Sequence, residues 1–203
     1  MSKEGSRLAF IDALKALASQ LIVLHHLAFY GPMSDYAQEL CPGLMAWLYD
    51  YARIAVQAFL VMGGFLAAKA LTKDGQLVNK PLISLVWRRY LKLVLPYLGA
   101  LLLGMLGAAL ARNLMTHEAT PALPTLPQFI AHVLLLQSVL GFDGLSAGVW
   151  YVAIDFQLYT LLLVTLWLAH RLLPKYPNAG RWAFALLAVA SLFALALVAG
   201  CNK

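Results

Sequence analysis

Charged side chains are scarce in this 203-residue chain: Asp, Glu, Lys and Arg together make up 12% of it, against 62% hydrophobic residues. A soluble domain carries about a quarter charged residues, so a chain this poor in charge is an integral membrane protein. Cysteine is almost absent. Cys41 and Cys201 have no metal-ligand spacing around them, so neither a disulfide framework nor a metal site is indicated. There is no 20-to-50-residue repeat and no low-complexity segment. Acidic residues are the scarcer charge, nine against fifteen Lys and Arg, for a net +6. That excess calls for no nucleic acid as partner, because Lys and Arg flank spans on the cytoplasmic side and face anionic headgroups of the bilayer.

What the chain has in quantity is long apolar runs. The first, Arg7 to Tyr30, follows a short tail bearing Lys3. Asp12 and Lys15 interrupt it and no small-residue cleavage pattern follows, which argues against a cleaved signal peptide. Residues 31–43 hold Pro, Asp and Glu but no Lys or Arg and read as an outside loop, which leaves the N-terminus cytoplasmic. A second span runs from about Leu44 to Leu71, with Trp47, Tyr49 and Tyr51 as an aromatic belt and Gly63-Gly64 at a place for close helix approach. From Lys69 to Lys92 six basic residues face one Asp, the strongest cytoplasmic signal. A third span reaches about Ala111 through Pro96, and a Pro-rich outside loop follows.

Residues 129–140 are apolar but number about twelve, short of the roughly 20 that cross a bilayer. Were they to cross, the basic loop holding Arg171, Lys175 and Arg181 would fall outside; a re-entrant or interfacial segment keeps it cytoplasmic. Spans over 149–173 and 182–200 complete the pattern. The expected fold is all-α: a polytopic membrane helix bundle with about five full transmembrane helices and one short re-entrant or interfacial segment.

Three stretches carry ionisable groups. On the first helix Lys15 and His26 lie within about 20° of one another, with Asp12 and Ser19 near the same line and His25 about 80° away. In GVWYVAIDFQLY, Tyr151, Asp155 and Tyr159 recur every four residues on one face. An intramembrane carboxylate costs about 2.5–3.5 kcal/mol on insertion scales, so Asp155 should meet a cavity or a partner. That partner is either His26, as a base with its orienting carboxylate, or a structural one such as a Tyr hydroxyl. In VWRRYLKLVLPY, Arg88, Arg89 and Lys92 cluster at a helix start. They are either ordinary cytoplasmic anchors or a site for the phosphates of a nucleotide-like donor. His117, His132 and His170 have no assigned role.

In order and wording these stretches resemble the acyltransferase-3 family of multipass membrane O-acyltransferases. The family's Asp, Arg, ten residues, His pattern is matched by Asp12, Lys15 and His26, with Lys in place of the usual Arg. VQAFLVMGGFLAAK is similar to its apolar run ending in Ser-Gly-Phe, with Gly63 where Ser is common. VWRRYLKLVLPY resembles its Arg-rich motif, and Trp150, Asp155 and Tyr159 match its Trp-aromatic-Leu, acid and Tyr motif. The resemblance covers 1–203 as one domain corresponding to the N-terminal half of a typical member, with a second chain or the missing C-terminal half as the partner that would complete it.

It implies transfer of an acyl group, often acetyl, from cytoplasmic acyl-CoA (acetyl-CoA) to a hydroxyl of a carbohydrate, lipid-linked or other cell-envelope acceptor, at the cytoplasmic membrane and without a metal. His26 would be general base or transient acyl carrier, with Asp155 or Asp12 orienting it. Arg88, Arg89, Lys92 and Lys15 would hold the donor. A transporter or permease with a polar intramembrane path, and a non-catalytic remnant or assembly partner, are the competing readings.

Overall fold

A computed structural model describes residues 3–29, 33–73, 76–77, 80–114, 122–146, 148–173, 175–176, 178 and 182. The span expected over 182–200 and Cys201 lie almost wholly outside the described residues. Helix α1 is Lys3–Phe29, α2 Met33–Leu40, α3 Pro42–Asp50, α4 Ala55–Leu71, α5 Leu82–Leu114, α6 Leu126–Val133 and α7 Val149–Leu172. A 3₁₀ turn, Ala52–Ile54, links α3 to α4. Between α4 and α5, Thr72–Lys73 pairs antiparallel with Gln76–Leu77.

Among the described residues four helical stretches are long and apolar enough to cross a bilayer: Ala9–Phe29, Pro42–Leu71, Leu82–Leu114 and Val149–Leu172. The fold is therefore an all-α polytopic membrane bundle. Large apolar side chains such as Phe10, Leu17, Val61, Leu103 and Leu106 are well exposed. In water they would be a heavy liability; against acyl chains they cost nothing.

The second span is not one continuous helix. It breaks where Tyr51 N–H bonds to Trp47 O and Ile54 N–H bonds to Tyr51 O, 2.9 and 3.0 Å, tightening the chain into the 3₁₀ turn. The break directly follows the place where α3 is fastened to α1. There His25 Nδ1–H donates to Leu48 O at 2.9 Å, and Phe29 stacks on Tyr49 with ring centroids 5.0 Å apart.

The short segment is short in the fold as well. Helix α6 has eight residues, about 12 Å of a hydrocarbon core about 30 Å thick. Thr125 caps it: Gln128 N–H donates to Thr125 Oγ1 and Thr125 N–H to Gln128 Oε1, both at 3.3 Å. The chain then turns through Leu135, a buried residue with φ +56°, and folds back toward the start of α7.

The chain divides into two compact units, 1–63 with 92–155 and 64–91 with 156–203, and α4, α5 and α7 each contribute to both. The first unit buries Leu101, Leu135 and Ala153, along with His132 and Gln137. The second is built on Leu71, Leu162, Leu163 and Leu166, with Leu85, Val86 and Tyr159 packed against them.

Candidate active site

His25 and His26 are neighbours in sequence, and the helix turns them to different surroundings. The buried His25 spends its Nδ1–H on the Leu48 carbonyl, which locks α1 to α3. A carbonyl can only accept, so that proton sits on Nδ1. His26 is half-buried and opens into a cavity of about 180 Å³ lined also by Ile22, one turn earlier on α1. Val56 and Phe59 of α4 and Gly148, Trp150 and Tyr151 at the start of α7 complete the lining. Phe59 meets Tyr151 edge-on at 6.2 Å, and Trp150 meets Tyr151 edge-on at 6.4 Å, so the aromatic wall holds itself in place.

Gly148 suits that position by its backbone: its φ of +77° belongs to the left-handed region, which side chains disfavour. A Cβ there would make ordinary contact with the His26 ring, 3.7 Å from Cε1.

Gly148 is set by the loop before it. His132 is fully buried, with Nδ1 2.8 Å from Gln128 O and Nε2 3.1 Å from Leu145 N. Leu145 N–H must donate, so Nε2 accepts and Nδ1–H donates to Gln128 O. Gln137, 1% exposed, donates its Nε2–H to Val149 O at 3.2 Å. Irregular backbone at membrane depth survives only where protein satisfies it, and here two buried side chains supply those bonds. As a lone His on a twelve-residue apolar segment, His132 offered no pattern to read.

Asp155 lies one turn beyond Tyr151 on α7 and is half-buried. It does not line the His26 cavity. Its carboxylate lies against α4 at Gly63, where a Cβ would come within 3.3 Å of Oδ1. Asp12 is exposed and Lys15 half-buried, both on the unbroken α1. At 1.5 Å per residue they stand about 21 and 16 Å from His26 along the axis, so neither touches the imidazole. Ser19, on the same line, turns its hydroxyl into its own helix, donating to Ala16 O at 2.7 Å.

Within the second unit, Arg89 is half-buried with its guanidinium 5.1 Å from the Tyr159 ring centroid, and Tyr90 packs at 5.7 Å on Phe156. Two stretches read separately in the sequence thus meet here through a cation–π contact. Arg88 is exposed, as is Lys92 one turn on, which belongs to the first unit. Among the described residues no three His, Cys, Asp or Glu side chains group as metal ligands do.

Residues 8–202 match the acyltransferase domain family known as acyltransferase-3. The match covers nearly the whole chain, which therefore belongs to that family and is a membrane protein with an acyltransferase domain. No curated protein and no solved structure matches it.

Proposed function

We propose that this chain is an O-acyltransferase of the cytoplasmic membrane that moves an acyl group, acetyl in the simplest case, from cytoplasmic acyl-CoA to a hydroxyl of a carbohydrate or other cell-envelope acceptor. The observation that carries this reading is the contrast between the two adjacent histidines. One is consumed by a structural bond, and the other opens into an aromatic-walled cavity in a chain of this family.

In the reaction the acceptor O–H loses its proton to the His26 imidazole as its oxygen attacks the thioester carbonyl carbon. The C–O bond forms, the C–S bond breaks, and the proton passes from His26 to the departing thiolate to give an ester and coenzyme A. In the alternative route His26 first takes the acyl group and then passes it to the acceptor. Of the two carboxylates, Asp155 is the one to orient and charge-stabilise the site, because Asp12 is about 21 Å away along α1. Arg88, Arg89 and Lys92 would hold the phosphates of the donor, with Lys15 as a further basic contact. Lys offers a point charge where Arg would offer a fork, so Lys15 grips a phosphate from one direction. A cytoplasmic N-terminus is supported by the basic run of 69–92 and the base-free loop of 31–43.

The test is transfer of labelled acyl from acyl-CoA in membranes holding the full chain. His26→Ala is expected to lose at least about a hundredfold in rate, the scale of a positioned acid–base group. Unchanged transfer in that variant would remove His26 from the mechanism. Solute uptake that depends on Asp155 and needs no acyl donor would replace the reading with a transporter.

A further inference from the structure

In the last turn of α7 the Arg171 guanidinium lies over the ring of Trp167, 5.6 Å from its centroid. A basic residue at a helix C-terminus ordinarily reaches for the free carbonyls there or for bulk water. This one folds back one turn along the helix and stacks on an indole instead. Arg171 has no hydrogen-bond or ion-pair partner among the described residues. The charge pattern of the second unit shows why: residues 64–91 hold five Lys and Arg and residues 156–203 hold four, against Asp74 alone. The counter-ion of Arg171 is therefore not a neighbour in its own unit.

Its depth narrows the choice of anion. Leu162, Leu163 and Leu166 of α7 are buried, whereas Leu168 and Leu172 are exposed, as are Trp167 and Arg171. The stacked pair thus stands on the side of the helix that meets lipid. Tyr176 and Trp182, also exposed, follow within eleven residues, and exposed Trp and Tyr collect at the level of the headgroups. The anion abundant at that level is the phosphate of a phospholipid. A guanidinium presents a planar fork of N–H donors that takes two phosphate oxygens at once, and stacking on the indole holds the fork in place before the lipid arrives. A zwitterionic headgroup brings an ammonium of its own that competes for the phosphate; an anionic headgroup does not. We propose that Trp167 and Arg171 form a headgroup site selective for an anionic phospholipid, independent of the acyl-transfer site.

The experiment is native mass spectrometry of the full chain in neutral detergent, titrated with phosphatidylglycerol or with phosphatidylcholine of the same acyl chains. Phosphatidylglycerol is expected to bind about fivefold or more tighter, the scale of one basic side chain at an anionic surface. Arg171→Gln should remove most of that preference. Arg171→Lys keeps the charge and loses the fork, and Trp167→Leu keeps apolar bulk and loses the stacking, so each should lower the preference in part. Lys175→Gln removes the same charge four residues on, where no ring lies beneath it in sequence register, and should leave the preference nearly intact. Arg171 is exposed and belongs to no core, so these comparisons read binding and not folding.

Equal binding of the two lipids would overturn the proposal. A preference that Lys175→Gln lowers as much as Arg171→Gln does would also overturn it, because the basic residues would then act as a diffuse field and not as a site. Release of phosphatidylglycerol by added coenzyme A, lost in Arg171→Gln, would overturn it by assigning the guanidinium to the phosphates of the donor.

Discussion

His25 and His26 show how one peptide bond separates structure from chemistry. A helix rotates successive residues by about 100°, so one ring faces α3 and the other faces the cavity. His25→Ala should therefore act on stability: losing the bond to the Leu48 carbonyl leaves a buried acceptor and costs about 1–3 kcal/mol, read as a lower unfolding midpoint in detergent. His26→Ala should leave that midpoint nearly unchanged while transfer is lost. If the two variants exchanged phenotypes, the assignment of roles would be reversed. Gly148→Ala probes the same site from its other wall. The left-handed backbone costs a non-glycine residue about 1–2 kcal/mol, and the new methyl narrows the cavity mouth beside His26, so transfer should fall more than stability does. The angular relation of Lys15 to His26 was legible in the sequence because helix geometry is regular. The bond from His25 to Leu48 was not, because it joins residues of two helices across a loop.

Between elements, two contacts decide whether the cavity keeps its shape. The first is the buried hydrogen-bonded loop between α6 and α7. His132→Leu keeps the volume but leaves the Leu145 N–H without an acceptor, a cost of about 1–3 kcal/mol, and loosens the approach to Gly148. Its expected signature is slower transfer at unchanged coenzyme A affinity, together with a lower unfolding midpoint; a variant with native midpoint and native rate would show that the loop does not set the site. The second is the crossing of α4 and α7, where the Asp155 carboxylate fills the space over Gly63. Ser at position 63 fits with a shift of a few tenths of an ångström and brings a hydroxyl that can donate to the carboxylate, so Gly63→Ser should retain activity. Gly63→Val brings bulk and no donor and should lose it, measured side by side in the transfer assay. The shortness of the apolar run at residues 129–140 was legible in the sequence, and charge was needed to favour a re-entrant or interfacial segment over a crossing one. The role of His132 was hidden because its partner Leu145 lies thirteen residues on, beyond an irregular turn without periodicity.

For the molecule as a whole, topology is the property to test. If the N-terminus is cytoplasmic, as the charge pattern indicates, α1 crosses outward and the exposed Cys41 at the start of α3 would face the outside. In a Cys201→Ser background on intact cells, a membrane-impermeant maleimide should label Cys41; protection until the cells are opened would invert the orientation. The sequence by itself determined the solvent, the helical class and the placement of the four long spans among the described residues, because hydropathy and charge act on every residue locally and need no partner to be read. It also carried the family, since four motifs in order survive as words in one dimension. Tertiary structure alone decided the rest. It broke the second span at a 3₁₀ turn, set Asp155 against Gly63 and outside the His26 cavity, and laid Arg89 on Tyr159. It also buried the Tyr97 hydroxyl without a hydrogen-bond partner. Each of these depends on how distant helices approach one another, and close packing of side chains fixes that approach in ways that no local pattern records.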